Sequence, residues 1–161
     1  MTCQPYVQLI EMKRWADRGL CEAISQNLGQ LTSEDATIML RILDHFHAVD
    51  RIFQHHLEGR PHTFQAPRSE SLPAFPALAD SIKGVDDWYG GYVGKLTKRE
   101  LEQPVDFVFT SGKPARMRKG EIILHVCLHG TYHRGNAGVL LQLRGLAPSR
   151  DSLTDFLEDA A

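Results

Sequence analysis

Leu78, Ile82, Val85, Tyr89, Tyr92 and Leu96 form an unbroken stripe of apolar residues three and four positions apart. That spacing keeps every member on one side of a 3.6-residue turn, so the segment can bury a face as an α-helix packed on other elements. The same period runs through most of the chain. From about Pro5 to Leu28 it places Leu9, Met12, Ala16, Leu20 and Ala23 together, with Pro5 suited to a first turn where its missing N–H costs nothing. In "LTSEDATIML", Thr32 or Ser33 can cap a second helix, and Glu34 and Asp35 favour the positive end of its dipole. Gly59 and Pro61 are expected to end that helix near Leu57.

The stretch from Arg60 to Phe75 turns to Pro, Ser, His and Thr and reads as a connecting loop. Pro76 restarts a helix that carries the opening stripe and is expected to stop near Glu102, before Pro104. "VDFVFTSGKPARMRKG" then alternates apolar and polar residues around Ser111-Gly112, a hairpin signal. A last helix follows, and a tail with Pro148 closes the chain. These elements predict an all-α protein: a four-helix bundle with one long crossover and a small β-hairpin before the last helix. The length of 161 residues fits one domain, 1–161.

Composition removes several function classes. Lys and Arg number 18 against 20 Asp and Glu, a net charge of −2, which offers no footprint for nucleic acid or an anionic membrane. Cys3, Cys21 and Cys127 are odd in number and lack CxxC spacing, which suits reduced thiols. The start, "MTCQPYVQLIEMKRW", has no basic head followed by an apolar run, and no run approaches the ~18 apolar residues of a membrane span. A cytoplasmic location is expected.

All eight histidines sit at two places: His45, His47, His55, His56 and His62 in or after the second helix, and His125, His129 and His133 in "LHVCLHGTYHRGNAGVLL". In the second helix, Ile38, Ile42, His45, Val49 and Ile52 share a stripe, which turns His45 inward and His47, ~200° away, elsewhere. His56 lies on the same stripe but ~16 Å along the axis, so one ion cannot use both. In the last helix Ile122, Val126, His129, His133 and Leu140 form the matching face. Residues four apart are neighbours, so His129 with His133, or His125 with His129, can chelate one ion; all three cannot, since His125 and His133 are ~12 Å apart. His45 is the best-placed third ligand. Core histidines satisfied by hydrogen bonds are the plainer alternative. Gly130, Gly135 and Gly138, each ~1 kcal/mol worse than alanine in a helix, mean either a loop here or a very close neighbouring helix. Arg134 and Tyr132 flank the candidate site and read as making a salt bridge or a surface hydrogen bond, and Asp50 reads as solvated, capping, or a support behind the site. No HExxH and no Glu-x-x-His occurs, which disfavours zincin proteases and di-iron carboxylate bundles.

"MKRWADRGLCEA", "LDHFHAVDRIFQHHL", "FVFTSGKP" and "GEIILHVCLHGTYHRGN" together resemble, over nearly the whole chain, the DinB family of damage-inducible, DinB/YfiT-like four-helix bundles. The resemblance implies a divalent metal on one histidine of the second helix and the HxxxH of the last, which by position are His45, His129 and His133, with His125 beside them. Asn136 stands where the family usually has Gln. It further implies homodimers, and relatives that act as metal-dependent transferases or isomerases using low-molecular-weight thiols such as bacillithiol or mycothiol. Three imidazoles leave positions open on the ion, as catalytic sites do. A thiol would there become a thiolate able to attack a small electrophilic substrate, or a water could hydrolyse an ester or amide. Imidazole suits zinc or nickel best, with iron or manganese as alternatives. The competing expectation is a non-catalytic stress-response or binding module in which the metal is structural.

Overall fold

The computed structural model describes residues 4–161, so Cys3 lies outside the described residues. The order is α1 (Gln4–Asn27), α2 (Ser33–Glu58), α3 (Phe75–Val93), α4 (Lys98–Leu101), β1 (Pro104–Val108), β2 (Pro114–Arg118), α5 (Lys119–Leu143) and α6 (Leu153–Asp159). α1 and α2 each pack against both α3 and α5, so the four long helices form a bundle with α1 and α2 at opposite corners. A loop joins α2 to α3, and α4 with the antiparallel β1–β2 hairpin crosses from α3 to α5. Among the described residues no helix is long and apolar enough to cross a membrane.

Local chemistry sets the boundaries. Thr32 caps α2 by accepting from the Asp35 amide at 3.1 Å, and Gly59 ends it with φ 67°, a left-handed conformation that favours glycine. In the hairpin Gly112 takes φ 84°, and its amide donates to the Phe109 carbonyl. The third helix stops at Val93, eight or nine residues short of the expected end. Thr97 and Glu100 form a reciprocal capping box that starts a separate turn, α4. The closing tail is also more ordered than expected: Ser152 caps α6, whose Phe156 and Asp159 meet Trp15 of α1.

The core is two apolar clusters. Ile10, Phe53, Tyr89, Val93, Ile122 and Val126 belong to one, and Leu20, Ile24, Met39, Phe46, Leu78, Ile82 and Leu141 to the other. On each long helix a charged residue falls between members of the two: Lys13 and Asp17, Asp50, Asp86, and Arg134, all buried. The Lys13 ammonium lies 2.7 Å from Asp17, 2.8 Å from Asp50 and 2.6 Å from Asp86, and Arg134 donates to Asp17 at 2.8 Å. This ionic layer qualifies three expectations. The buried stripe of α1 is Ile10, Lys13, Ala16, Asp17, Leu20 and Ile24, so Ala16 and Leu20 are buried as expected while Leu9, Met12 and Ala23 are only half-buried. Asp50 is neither solvated nor a cap. Arg134 makes the expected salt bridges, to Asp17 and Asp151, but as a buried residue rather than at the surface.

Candidate metal centre

α2 and α5 pack side by side and present His45 opposite His129 and His133. Ring centroids are 5.0 Å apart for His45–His129, 4.6 Å for His45–His133 and 4.4 Å for His129–His133. One nitrogen from each ring lies within 4.8 Å of the others, close enough to hold a single metal ion. Among the described residues no fourth Cys, His, Asp or Glu joins this group. The three side chains are half-buried. The stripe through His45 therefore runs along the α2–α5 seam, with Ile38 exposed at one end and Ile52 buried at the other, rather than into the centre of the core.

The donor chemistry fits a cation. His45 Nδ1 is 2.7 Å from the Pro67 carbonyl, which only accepts, so Nδ1 donates there and Nε2 is the nitrogen left to face an ion. His129 Nε2 and His133 Nε2 stand 3.1 Å apart. Two nitrogens ~2.1 Å from one tetrahedral ion are ~3.4 Å apart, so little movement separates the present spacing from a chelating one. A hydrogen bond between those atoms requires one of them to be protonated, whereas a shared cation uses both lone pairs. His129 Nδ1 is buried without a partner in either tautomer. Burial first, then His133 and His45, push His129 down to about 3, and burial and His45 push His133 below its ordinary value. Both are neutral at pH 7, as metal ligands must be.

His125 stays outside the trio. Its ring stacks on His129 at 5.4 Å and tilts against Phe53 at 5.0 Å, forming a wall beside the site. His47 points away and meets Ser81 Oγ at 2.7 Å, as the helix geometry predicts. His56 stacks on Phe107 and neighbours His62, well removed along α2.

α5 is helical throughout, so the glycines have another cause than a loop. A Cβ on Gly130 would lie 2.9 Å from Arg134 Nη1, so glycine here makes room for a guanidinium rather than for a helix backbone. Gly138 would make only an ordinary contact with Pro148, and Gly135 faces open space. What sequence reasoning misses altogether is the support from the loop. Asp44, next to His45, accepts from the Ser69 amide at 2.9 Å and its hydroxyl at 2.6 Å, which pins the segment whose Pro67 carbonyl orients His45. The only hint in sequence is an acidic residue beside a candidate ligand.

The family model described as "DinB family" matches residues 3–160. No curated protein and no solved structure matches the chain.

Proposed function

The chain belongs to the DinB family, and on that footing we propose that His45, His129 and His133 hold one divalent cation, zinc or nickel by ligand type, in a thiol-dependent S-transferase or isomerase acting on a small electrophile. The observation that carries this reading is the convergence of three imidazoles from two helices, with no fourth Cys, His, Asp or Glu among the described residues. A structural site would close its coordination sphere with protein atoms, and an open one takes substrate. A bound cation would supply Lewis acidity and make a thiol a thiolate at neutral pH.

The chain's own residues bind and orient. His45 is held by Pro67, and His129 and His133 by their places on α5. Phe53 and the His125 ring shield one side from water. Asp17, Asp50 and Asp86 are engaged by Lys13 in the ionic layer, so none of them acts as a base at the triad. The proton of the incoming thiol leaves to solvent or buffer.

Two experiments bear on this. Cobalt(II)-loaded protein titrated with a small thiol is expected to develop a near-ultraviolet absorption band that His129→Ala lacks; a spectrum indifferent to thiol would remove the thiol-dependent reading. Asp44→Ala, which frees the loop behind His45, is expected to weaken metal affinity ~10–100-fold in a chelator competition, the usual cost of losing an outer-shell support. Unchanged affinity would show that the Pro67 contact does not orient the ligand.

A further inference from the structure

Five histidines lie in or after α2, and the triad uses only His45. His56, in the last turn of α2, and His62, in the loop that follows, form a second group. Their ring centroids are 5.2 Å apart, with the planes at 66°. Phe107 stacks on His56 at 4.5 Å, Phe53 meets it edge-on at 5.9 Å, and Phe64 lies 6.0 Å from His62. The pair thus sits among aromatic walls. His56 is ~16 Å along the helix axis from His45, too far to share its ion.

In that setting two nitrogens have no partner. His56 Nε2 and His62 Nδ1 are both buried, and neither makes a hydrogen bond to the other or to any other group. Orphaned polar atoms in a native interior are uncommon and costly, and two on adjacent rings point to one shared guest. Neutral imidazoles can satisfy each other only when one donates to the other, which these do not do. A cation takes both lone pairs at once. Two imidazoles bound at ~2.1 Å to one tetrahedral ion have ring centroids about 5 Å apart, the separation found here and between His45 and His129. Burial first, then His62 and His55, push His56 down to about 4; burial and then His55 push His62 below its ordinary value. Both rings are therefore neutral at pH 7, as ligands must be.

We propose that His56 and His62 form a second cation site, separate from the triad, for a divalent ion of the class that imidazole favours, zinc among them. His55 does not join it, because its Nδ1 donates to the Arg51 carbonyl at 2.7 Å and its ring stands 6.2 Å from His62. Among the described residues no third Cys, His, Asp or Glu completes the pair, so the remaining coordination positions fall to water. The site binds more weakly than the triad and loses its ion on desalting. One ligand comes from α2 and the other from the loop. The ion therefore ties to the helix the start of the segment whose Pro67 carbonyl orients His45. This inference depends neither on the triad nor on thiol chemistry.

The test is equilibrium dialysis of the full chain against excess free zinc, with metal content measured before and after desalting. Wild type is expected to hold two ions per chain in dialysis and one after desalting. His56→Ala and His62→Ala are each expected to hold one ion in both conditions. His129→Ala is expected to hold one in dialysis and none after desalting, so the two sites are read separately. Should His56→Ala fail to fold, His62→Ala decides, since that side chain lies in a loop and helical circular dichroism checks its fold. A folded His62→Ala that holds as many ions as wild type, whether one or two, overturns the proposal: water then meets the two nitrogens, or the second ion sits elsewhere on the surface. An ion lost in His62→Ala but not in His129→Ala would remove the triad and leave this site standing.

Discussion

Lys13→Met is expected to lower the unfolding free energy by about 3–5 kcal/mol at neutral pH, the cost of removing one partner from a buried charge group. At 2–4 °C per kcal/mol that is a fall in melting temperature of roughly 6–20 °C. The volume of the side chain is nearly kept, so the loss is electrostatic rather than a cavity. Burial alone would pull the Lys13 ammonium down, yet Asp17, Asp50 and Asp86 hold it well above its ordinary value. Burial likewise raises Asp17, but Lys13 and then Arg134 hold it below the usual carboxylate range. Asp50 is pushed up to about 6 and Asp86 is raised as well, by burial first and despite Lys13. Asp50 Oδ1 has no hydrogen-bond partner, so Lys13 is the main charge compensating this carboxylate.

The pH dependence follows with a definite sign. A carboxyl group whose folded value exceeds its unfolded one binds more protons when folded, so stability falls as pH rises through that interval. In the methionine variant, Asp50 and Asp86 rise further and Asp17 joins them. The deficit relative to wild type is therefore largest above about pH 6 and shrinks on acidification towards pH 5, where the carboxyls enter the fold protonated. Urea melts at pH 8 and pH 5.5 check this. A deficit that is the same at both values would mean that Lys13 acts through packing alone.

The second large effect belongs to the triad. Saturating zinc at 100 times its dissociation constant is expected to stabilise wild type by about 2.7 kcal/mol, since the ion binds the folded chain. His129→Leu is expected to lose that gain and to bind more than ~100-fold weaker, beyond the range that outer-shell losses reach. Without metal, the same variant is expected to be as stable as wild type or up to about 1 kcal/mol more stable, because it removes the buried, unpaired Nδ1. The opposite responses with and without metal separate a ligand from an ordinary core histidine. A His129→Leu chain that is equally destabilised in both conditions would assign His129 to packing.

The bundle and the triad are legible in sequence because both depend on spacing within one helix. HxxxH brings two rings together on α5, and a stripe sharing His45 with Val49 and Ile52 turns the third towards them. The third helix is recognisable for the same reason, but its end is not. Leu96 continues the 3–4 period past Val93, and only the Gly94 break and the Thr97–Glu100 capping box reveal the stop. Position 13 defeats periodicity outright. A lysine in a helix pattern signals solvent, and only three carboxylates brought from α1, α2 and α3 make its burial tolerable. Asp50 lies far from Lys13 in sequence, and no local spacing encodes such a pairing. The Pro67 carbonyl is equally illegible, since every residue carries one and only the fold aims it.

The account rests on one ion held by three named imidazoles, and metal content of tag-free protein measures that directly. After loading with zinc and desalting, wild type and His125→Ala are expected to retain one ion per chain, while His45→Ala, His129→Ala and His133→Ala retain little or none. Stoichiometric metal in those three variants, or loss confined to His125→Ala, would contradict it.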